Sequence, residues 1–188
     1  EYGVKITDRG YANQQGRLSP DGKRIVFLTD RRDYYEFFQA NPDGSKPRTL
    51  LNWFQRKRLD NISQEGNIFS FSPDSFSAEK LQQQHLFIYN FTRHRLTRIK
   101  VALDEVTSPN FSPDGQKIIF SGLKKGYSDI YQIDLAGKNL DRLTTDTYDD
   151  TYPLITNDGK GVIYVSEREK IRYLYRLDLE TKETKRIT

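Results

Sequence analysis

Few side chains in this chain are suited to catalysis, and their spacing decides which chemistry is open to them. There are two histidines, His85 and His94, nine residues apart. A nucleophilic hydrolase needs a serine on a Gly-x-Ser-x-Gly elbow, a histidine base and an orienting acid; no such elbow occurs. There is no cysteine, which excludes thiol nucleophiles, disulfides and zinc thiolates. Two histidines without a third ligand do not make a zinc site. Gly159-Lys160-Gly161 lacks the Gly, four residues, then Gly-Lys-Ser/Thr of a phosphate loop and reads as a hairpin turn. Asp146, Asp149 and Asp150 could serve Ca²⁺ or acid-base work, but the calcium-loop spacing with its closing bidentate Glu is missing. The expectation is no catalytic residue, no metal and no cofactor, with 146–150 a polar loop.

Composition narrows the partners. The 30 basic and 26 acidic residues give a net charge of +4 but are interspersed, whereas a nucleic-acid surface gathers its basic residues on one face. No run approaches the roughly 18 apolar residues of a membrane span, so no membrane insertion is expected. Hydrophobic residues make up only 35% of the chain while aromatics reach 13%, a balance suited to half-exposed sheets with aromatic faces. The sequons at Asn61, Asn90 and Asn110 read as chance matches. Glu1 in place of an initiator Met fits a mature or trimmed product whose leader is not shown.

The elements that must position these residues repeat. Ser19-Pro20-Asp21-Gly22, Ser72-Pro73-Asp74-Ser75, Ser112-Pro113-Asp114-Gly115 and Thr156-Asn157-Asp158-Gly159 set their second residues 53, 40 and 44 apart, a period typical of propellers or solenoids. Pro suits the second position of a type I turn, Gly the left-handed position after it, and Asp can accept hydrogen bonds from nearby amides. Each anchor is therefore a hairpin turn between a first strand, a, and a second, b. Apolar runs follow at 24–28, 117–120 and 161–165 and read as strands buried on both faces. Runs alternating with period two come next at 130–135 and 173–179, and units close on Asp141-Arg142-Leu143-Thr144 and Lys185-Arg186-Ile187-Thr188. The unit is four strands long, a to d.

Ser-Pro-Asp-Gly, an apolar strand, a Thr/Ser-Asp-Arg turn, Ile-Tyr-x-x-Asp-Leu and Arg-Leu-Thr together resemble the TolB-type (WD40-like Pro-Asp) β-propeller repeat. Residues 112–144 carry the pattern best, and it extends over nearly the whole chain. The resemblance implies an all-β propeller of four-stranded antiparallel blades, with four repeats visible as an arc of a larger ring. We expect one propeller segment: a leftover outer strand and loop at 1–13, blade 1 at 14–51, an insertion at 52–66, an irregular blade 2 at 67–100, blade 3 at 101–145 and blade 4 at 146–188. In blade 2 the stretch 76–84 is too polar and short for a regular strand b.

The resemblance also implies a non-catalytic, protein-binding scaffold of the bacterial periplasm or cell envelope. Two alternatives are an accessory propeller gating a prolyl-oligopeptidase-type hydrolase domain outside this chain, and a propeller binding a glycan or other small molecule. The d-to-a and b-to-c loops share one end of a propeller, where recognition usually resides. Tyrosine buries a ring while keeping a hydrogen bond. The expected contact residues are Tyr11, Asp30, Arg31, Tyr34, Tyr127, Tyr148, Asp149 and Asp150. A second, docking role is expected of Trp53, Phe54, Arg56, Lys57 and Arg58 within the insertion.

Overall fold

A computed structural model of the chain describes residues 13–19, 22–31, 34–53, 57–62, 68–73, 85–90, 93 and 95–188. All regular structure among them is β: sixteen strands in four antiparallel sheets of four. The first sheet holds β1 (Asn13–Leu18), β2 (Ile25–Arg31), β3 (Tyr34–Ala40) and β4 (Arg48–Trp53). The second holds β5 (Lys57–Ile62), β6 (Ile68–Pro73), β7 (His85–Asn90) and β8 (Arg95–Lys100). The third holds β9 (Glu105–Phe111), β10 (Lys117–Lys124), β11 (Tyr127–Asp134) and β12 (Asp141–Arg142). The fourth holds β13 (Asp149–Ile155), β14 (Gly161–Arg168), β15 (Ile171–Asp178) and β16 (Thr184–Arg186). Each sheet is a meander, and the first strands β1, β5, β9 and β13 touch in succession, so the sheets stand side by side as blades in an unclosed arc.

The third and fourth anchors make the turns their sequence predicts. Gly115 N donates to Ser112 O, and Gly115 adopts φ 67°. Asp114 Oδ1 accepts from Ser112 Oγ at 2.5 Å and from Gln116 N at 3.0 Å. The degraded fourth anchor reproduces this with Thr156 in place of Ser112: Asp158 Oδ1 accepts from Thr156 Oγ1 at 2.5 Å and Lys160 N at 3.0 Å. A hydroxyl, an aspartate and a left-handed glycine are therefore enough, and Pro113 can be replaced by Asn157. In β9 and β13 a register shift accompanies a left-handed residue, Ser108 or Tyr152, directly before Pro109 or Pro153. Such a bulge accommodates a proline that has no N–H for the ladder.

Strand alternation sends successive side chains of β10 into different seams. Ile118 and Phe120 join Leu86, Ile88, Ile99, Val101 and Leu103 between blades 2 and 3. Ile119 joins Ile130 and Leu143 against Ile155, Val162, Tyr164, Tyr175 and Leu177 of blade 4. The core is thus a series of inter-blade layers. A Cβ added at Gly122 would lie 2.5 Å from Leu103 Cδ1 and 2.8 Å from Tyr131, so close packing of β10 requires glycine there.

Blade 2 is assembled differently from the sequence reading. The expected insertion contributes a strand: Lys57–Ile62 pairs with Ile68–Pro73, which in turn pairs directly with His85–Asn90. Ser72-Pro73 therefore closes the second strand of its sheet instead of the first. The stretch 76–84 lies outside the described residues. β6 pairs with β5 on one side and β7 on the other, so four strands are reached by drawing on residues before the anchor.

Candidate functional site

The b-to-c hairpins and d-to-a connections come together at one end of the blades. The hairpin joining β10 to β11 turns through Lys125 (φ 54°) and Gly126 (φ 91°), and that joining β14 to β15 through Glu169 (φ 53°) and Lys170 (φ 64°). Left-handed residues at both central positions match the twist of the flanking strands. Three contacts bind these hairpins to the connections: Lys125 N donates to Asp104 Oδ2 at 3.1 Å, Ser128 N to Asp149 Oδ1 at 2.9 Å, and Arg168 Nη2 pairs with Asp146 Oδ2 at 3.0 Å. The second of these crosses from blade 3 to blade 4.

Arg168 organises the surface of blade 4. Its guanidinium carbon lies 4.3 Å from the Tyr148 ring centroid and 4.2 Å from that of Tyr175, and its Nε donates to Ser166 Oγ at 3.2 Å. Stacking of a guanidinium on aromatic faces contributes roughly 0.5–1 kcal/mol per partner where exposed. Tyr148 remains 37% exposed and Tyr127 46% exposed, so both stay accessible at the loop end.

Beneath this surface lies a buried polar layer. Asp129 Oδ2 meets Arg142 Nη2 at 2.6 Å, and Thr144 Oγ1 accepts from Ile130 N at 3.0 Å. Burial raises the pKa of Asp129 against the opposing pull of Arg142. Asp150 is fully buried, and burial raises its pKa to about 6. The hydroxyls of Ser166 and Thr144 favour its charged form, yet neither carboxylate oxygen receives a well-formed hydrogen bond, and Asp146 and Asp129 reinforce the rise. Desolvation dominates where hydrogen bonding is incomplete.

The expected contact residues separate accordingly. Tyr127, Tyr148 and Asp149 stand at the loop end, whereas Asp150, the second residue of β13, is buried and belongs to the seam, because strand alternation turns it inward beside the exposed Asp149. Asp30 and Arg31 end β2 and Tyr34 begins β3, so the backbone places them at the equivalent hairpin of blade 1, with Arg31 opposite Tyr34. Trp53 ends β4, and Lys57 and Arg58 begin β5, which makes them strand residues where an insertion was expected. Tyr11, Phe54, Arg56 and His94 lie outside the described residues, and His85 is buried on β7. Sequence reasoning did not single out Arg168, Asp129 or Arg142. Their signal was the strand-end position of each, flanking a b-to-c hairpin or following a c-to-d one.

The TolB beta propeller domain profile matches residues 35–188. No curated protein sequence matches the chain. Among solved structures, a TolB-assigned protein from Agrobacterium tumefaciens is similar at 18% identity and TM-score 0.75, over 90% of this chain and 62% of that one. TolB from Acinetobacter baumannii is similar at 14% identity and TM-score 0.76, over 97% of this chain and 45% of that one. A prolyl endopeptidase shares the fold at 12% identity and TM-score 0.72, over 95% of this chain and 29% of that one. The chain thus spans under two thirds of the length of each of these structures. With its four-stranded Pro-Asp blades and a profile match across most of its length, the chain belongs to the TolB beta propeller domain family.

Proposed function

We propose that this arc is a non-catalytic protein-binding module of the bacterial cell envelope, working through the loop end of its blades. The reading is carried by the fixed aromatic-cationic surface in which Arg168 is held between Tyr148 and Tyr175 and tied to Asp146, with Tyr127 exposed on the neighbouring hairpin. Tyrosines beside an arginine held by several contacts have the composition of interface hot spots, where truncating one side chain weakens binding by about 2 kcal/mol or more, roughly thirtyfold. Asp149, and the blade 1 hairpin with Asp30, Arg31 and Tyr34, extend the same end of the molecule. Membership of the TolB beta propeller domain family supports the envelope localisation.

The test is an affinity capture from bacterial envelope extract with the parent chain and the Tyr127→Ala/Tyr148→Ala variant. A specific protein retained by the parent and lost by the variant, with both equally folded by circular dichroism, is the expected result. Equal capture by both would remove this end from consideration. The similarity to a prolyl endopeptidase favours a second reading, an accessory propeller beside a hydrolase domain. Finding a hydrolase domain encoded in the same polypeptide would select it.

A further inference from the structure

Blades 3 and 4 use the same buried level for different chemistry. Aligned on the anchors Ser112 and Thr156, Val106 corresponds to Asp150, Gly122 to Ser166 and Lys124 to Arg168. Val106 lies opposite Gly122 in blade 3, and both are buried. Asp150 lies opposite Ser166 in blade 4, and both are 0% exposed. An apolar pair therefore satisfies the blade at this level, and the fold by itself does not call for a buried carboxylate, which is costly to desolvate without a counter-ion.

Asp150 has no such counter-ion. The groups facing it are Ser166 and Tyr164 of β14, Asp129 of β11, and Thr144 and Asp146 between β12 and β13, with Tyr175 of β15 stacked on Tyr164. From β9 and β10 the side chains bonded to β13 are the uncharged Asn110 and Ser121, and the carboxyl of Glu105 at the start of β9 is raised by burial alone. The cations are Arg142, paired with Asp129 at 2.6 Å, and Arg168, paired with Asp146 at 3.0 Å. Three carboxylates share two guanidiniums, and the one left over is fully buried with neither oxygen hydrogen-bonded.

Ser166 connects this carboxyl to the surface. Its Oγ accepts from Arg168 Nε at 3.2 Å and donates to no other group among the described residues. Thr144 Oγ1, the other hydroxyl beside Asp150, already accepts from Ile130 N and lies 3.5 Å from Asp129 Oδ1. Ionisation of Asp150 turns the Ser166 proton inward, leaves the Ser166 lone pairs to Arg168 and draws the guanidinium from Asp146 toward the seam, since linked hydrogen bonds polarise one another. Tyr148 and Tyr175 both stack on that guanidinium, so its displacement alters the surface they form. We propose that Asp150 is a proton-operated positioning residue: its protonation state, passed through Ser166, sets how Arg168 and Tyr148 are presented at the loop end, and makes capture of a protein partner there depend on pH. The dependence of capture rests on the protein-binding reading above, whereas the movement of Arg168 does not. Burial places the Asp150 pKa at about 6, so Arg168 is released to Asp146 below that pH and drawn inward above it.

The Nε–H signal of Arg168, followed by NMR in the 188-residue chain from pH 5 to 7, is expected to shift in one step with its midpoint at about pH 6. The step should be lost in Asp150→Asn and in Ser166→Gly, the latter installing the residue that blade 3 carries at Gly122, and should survive in Asp146→Asn. The carboxyl carbon of Asp150 should still titrate in Ser166→Gly, which shows that the link and not the ionisation was removed. An Arg168 signal that stays flat in the parent chain overturns the proposal, whatever the variants do. A step of undiminished size in Ser166→Gly overturns it as well, and so does a step lost in Asp146→Asn, which would assign the titration to the surface ion pair. Titration of Arg168 without capture of any envelope protein at pH 5 or 7 would sink the protein-binding reading and leave the proton-operated movement of Arg168 standing.

Discussion

Aspartates at the two ends of the blades have opposite electrostatics. At the turn end Asp114, Asp158 and Asp178 are held below the ordinary carboxylate range, chiefly by hydrogen bonds from the Ser112 hydroxyl, the Thr156 hydroxyl and the Thr181 amide respectively. At the loop end Asp129 and Asp150 are raised, chiefly by burial. In blades 3 and 4 the turn end is made of bonds closing within a few residues, so it forms in each of them by itself. The loop end is made where neighbouring blades meet, so its carboxylates take their character from the seam. One residue type therefore favours its charged form at one end and its neutral form at the other.

Breaking the seam should erase half of this contrast. Tyr164 is 1% exposed and stacks on Tyr175 with centroids 5.9 Å apart, and its own pKa is pushed up, first by burial and then by Asp150. Tyr164→Ala leaves a ring-sized cavity and is expected to lower stability by about 3–5 kcal/mol in urea denaturation. Water entering the cavity would hydrate Asp150, so the variant should also lose the pH dependence that this residue imposes. A loss below about 1 kcal/mol would mean that the blades are held together elsewhere.

Asp150 itself sharpens the comparison. Its folded pKa of about 6 lies above the ordinary 3.8, so the folded protein holds a proton that the unfolded chain has released between those values. This contribution to stability is fully present below pH 4 and is lost as pH rises through 6, a swing of roughly 2–3 kcal/mol at most. Asp150→Asn removes the ionisation while keeping the shape. It should raise the urea midpoint at pH 7 and flatten the midpoint's dependence between pH 4 and 6. Parallel pH profiles for parent and variant would show that Ser166 and Thr144 satisfy the charged carboxylate.

The same division explains what could be read from sequence. The anchors, the doubly buried runs and the alternating third strands are local patterns, and they gave the all-β class, the four blades and the turn chemistry of Asp114 and Asp158. Blade 2 escaped because Lys57–Ile62 carries no anchor; only its pairing with Ile68–Pro73 makes it a first strand. Asp149 and Asp150 look alike in sequence, yet one accepts a hydrogen bond from Ser128 across the seam and the other is buried beneath it. Arg168 acquires its role only when Tyr148 and Tyr175 close on it from separate strands. Contacts between blades have no spacing rule in the chain, so the loop end could be located but not resolved residue by residue.

The smallest expected effect lies at the turn end and has the opposite sign. Asp114 is stabilised as a carboxylate by Ser112 Oγ and Gln116 N, so its contribution is present above the ordinary pKa and is lost as pH falls through its lowered folded value. Asp114→Ala removes two hydrogen bonds at an exposed turn whose glycine and strand pairing remain, and should cost about 0.5–1.5 kcal/mol at pH 7. The loss should shrink toward pH 3, where Asp150 has ceased to oppose folding. Urea midpoints for Asp114→Ala and Asp150→Asn, each measured from pH 3 to 7, should therefore diverge from the parent in opposite directions as pH rises. If both moved the same way, burial and local hydrogen bonding would not divide between the two ends, and the aspartates at both ends would share one environment.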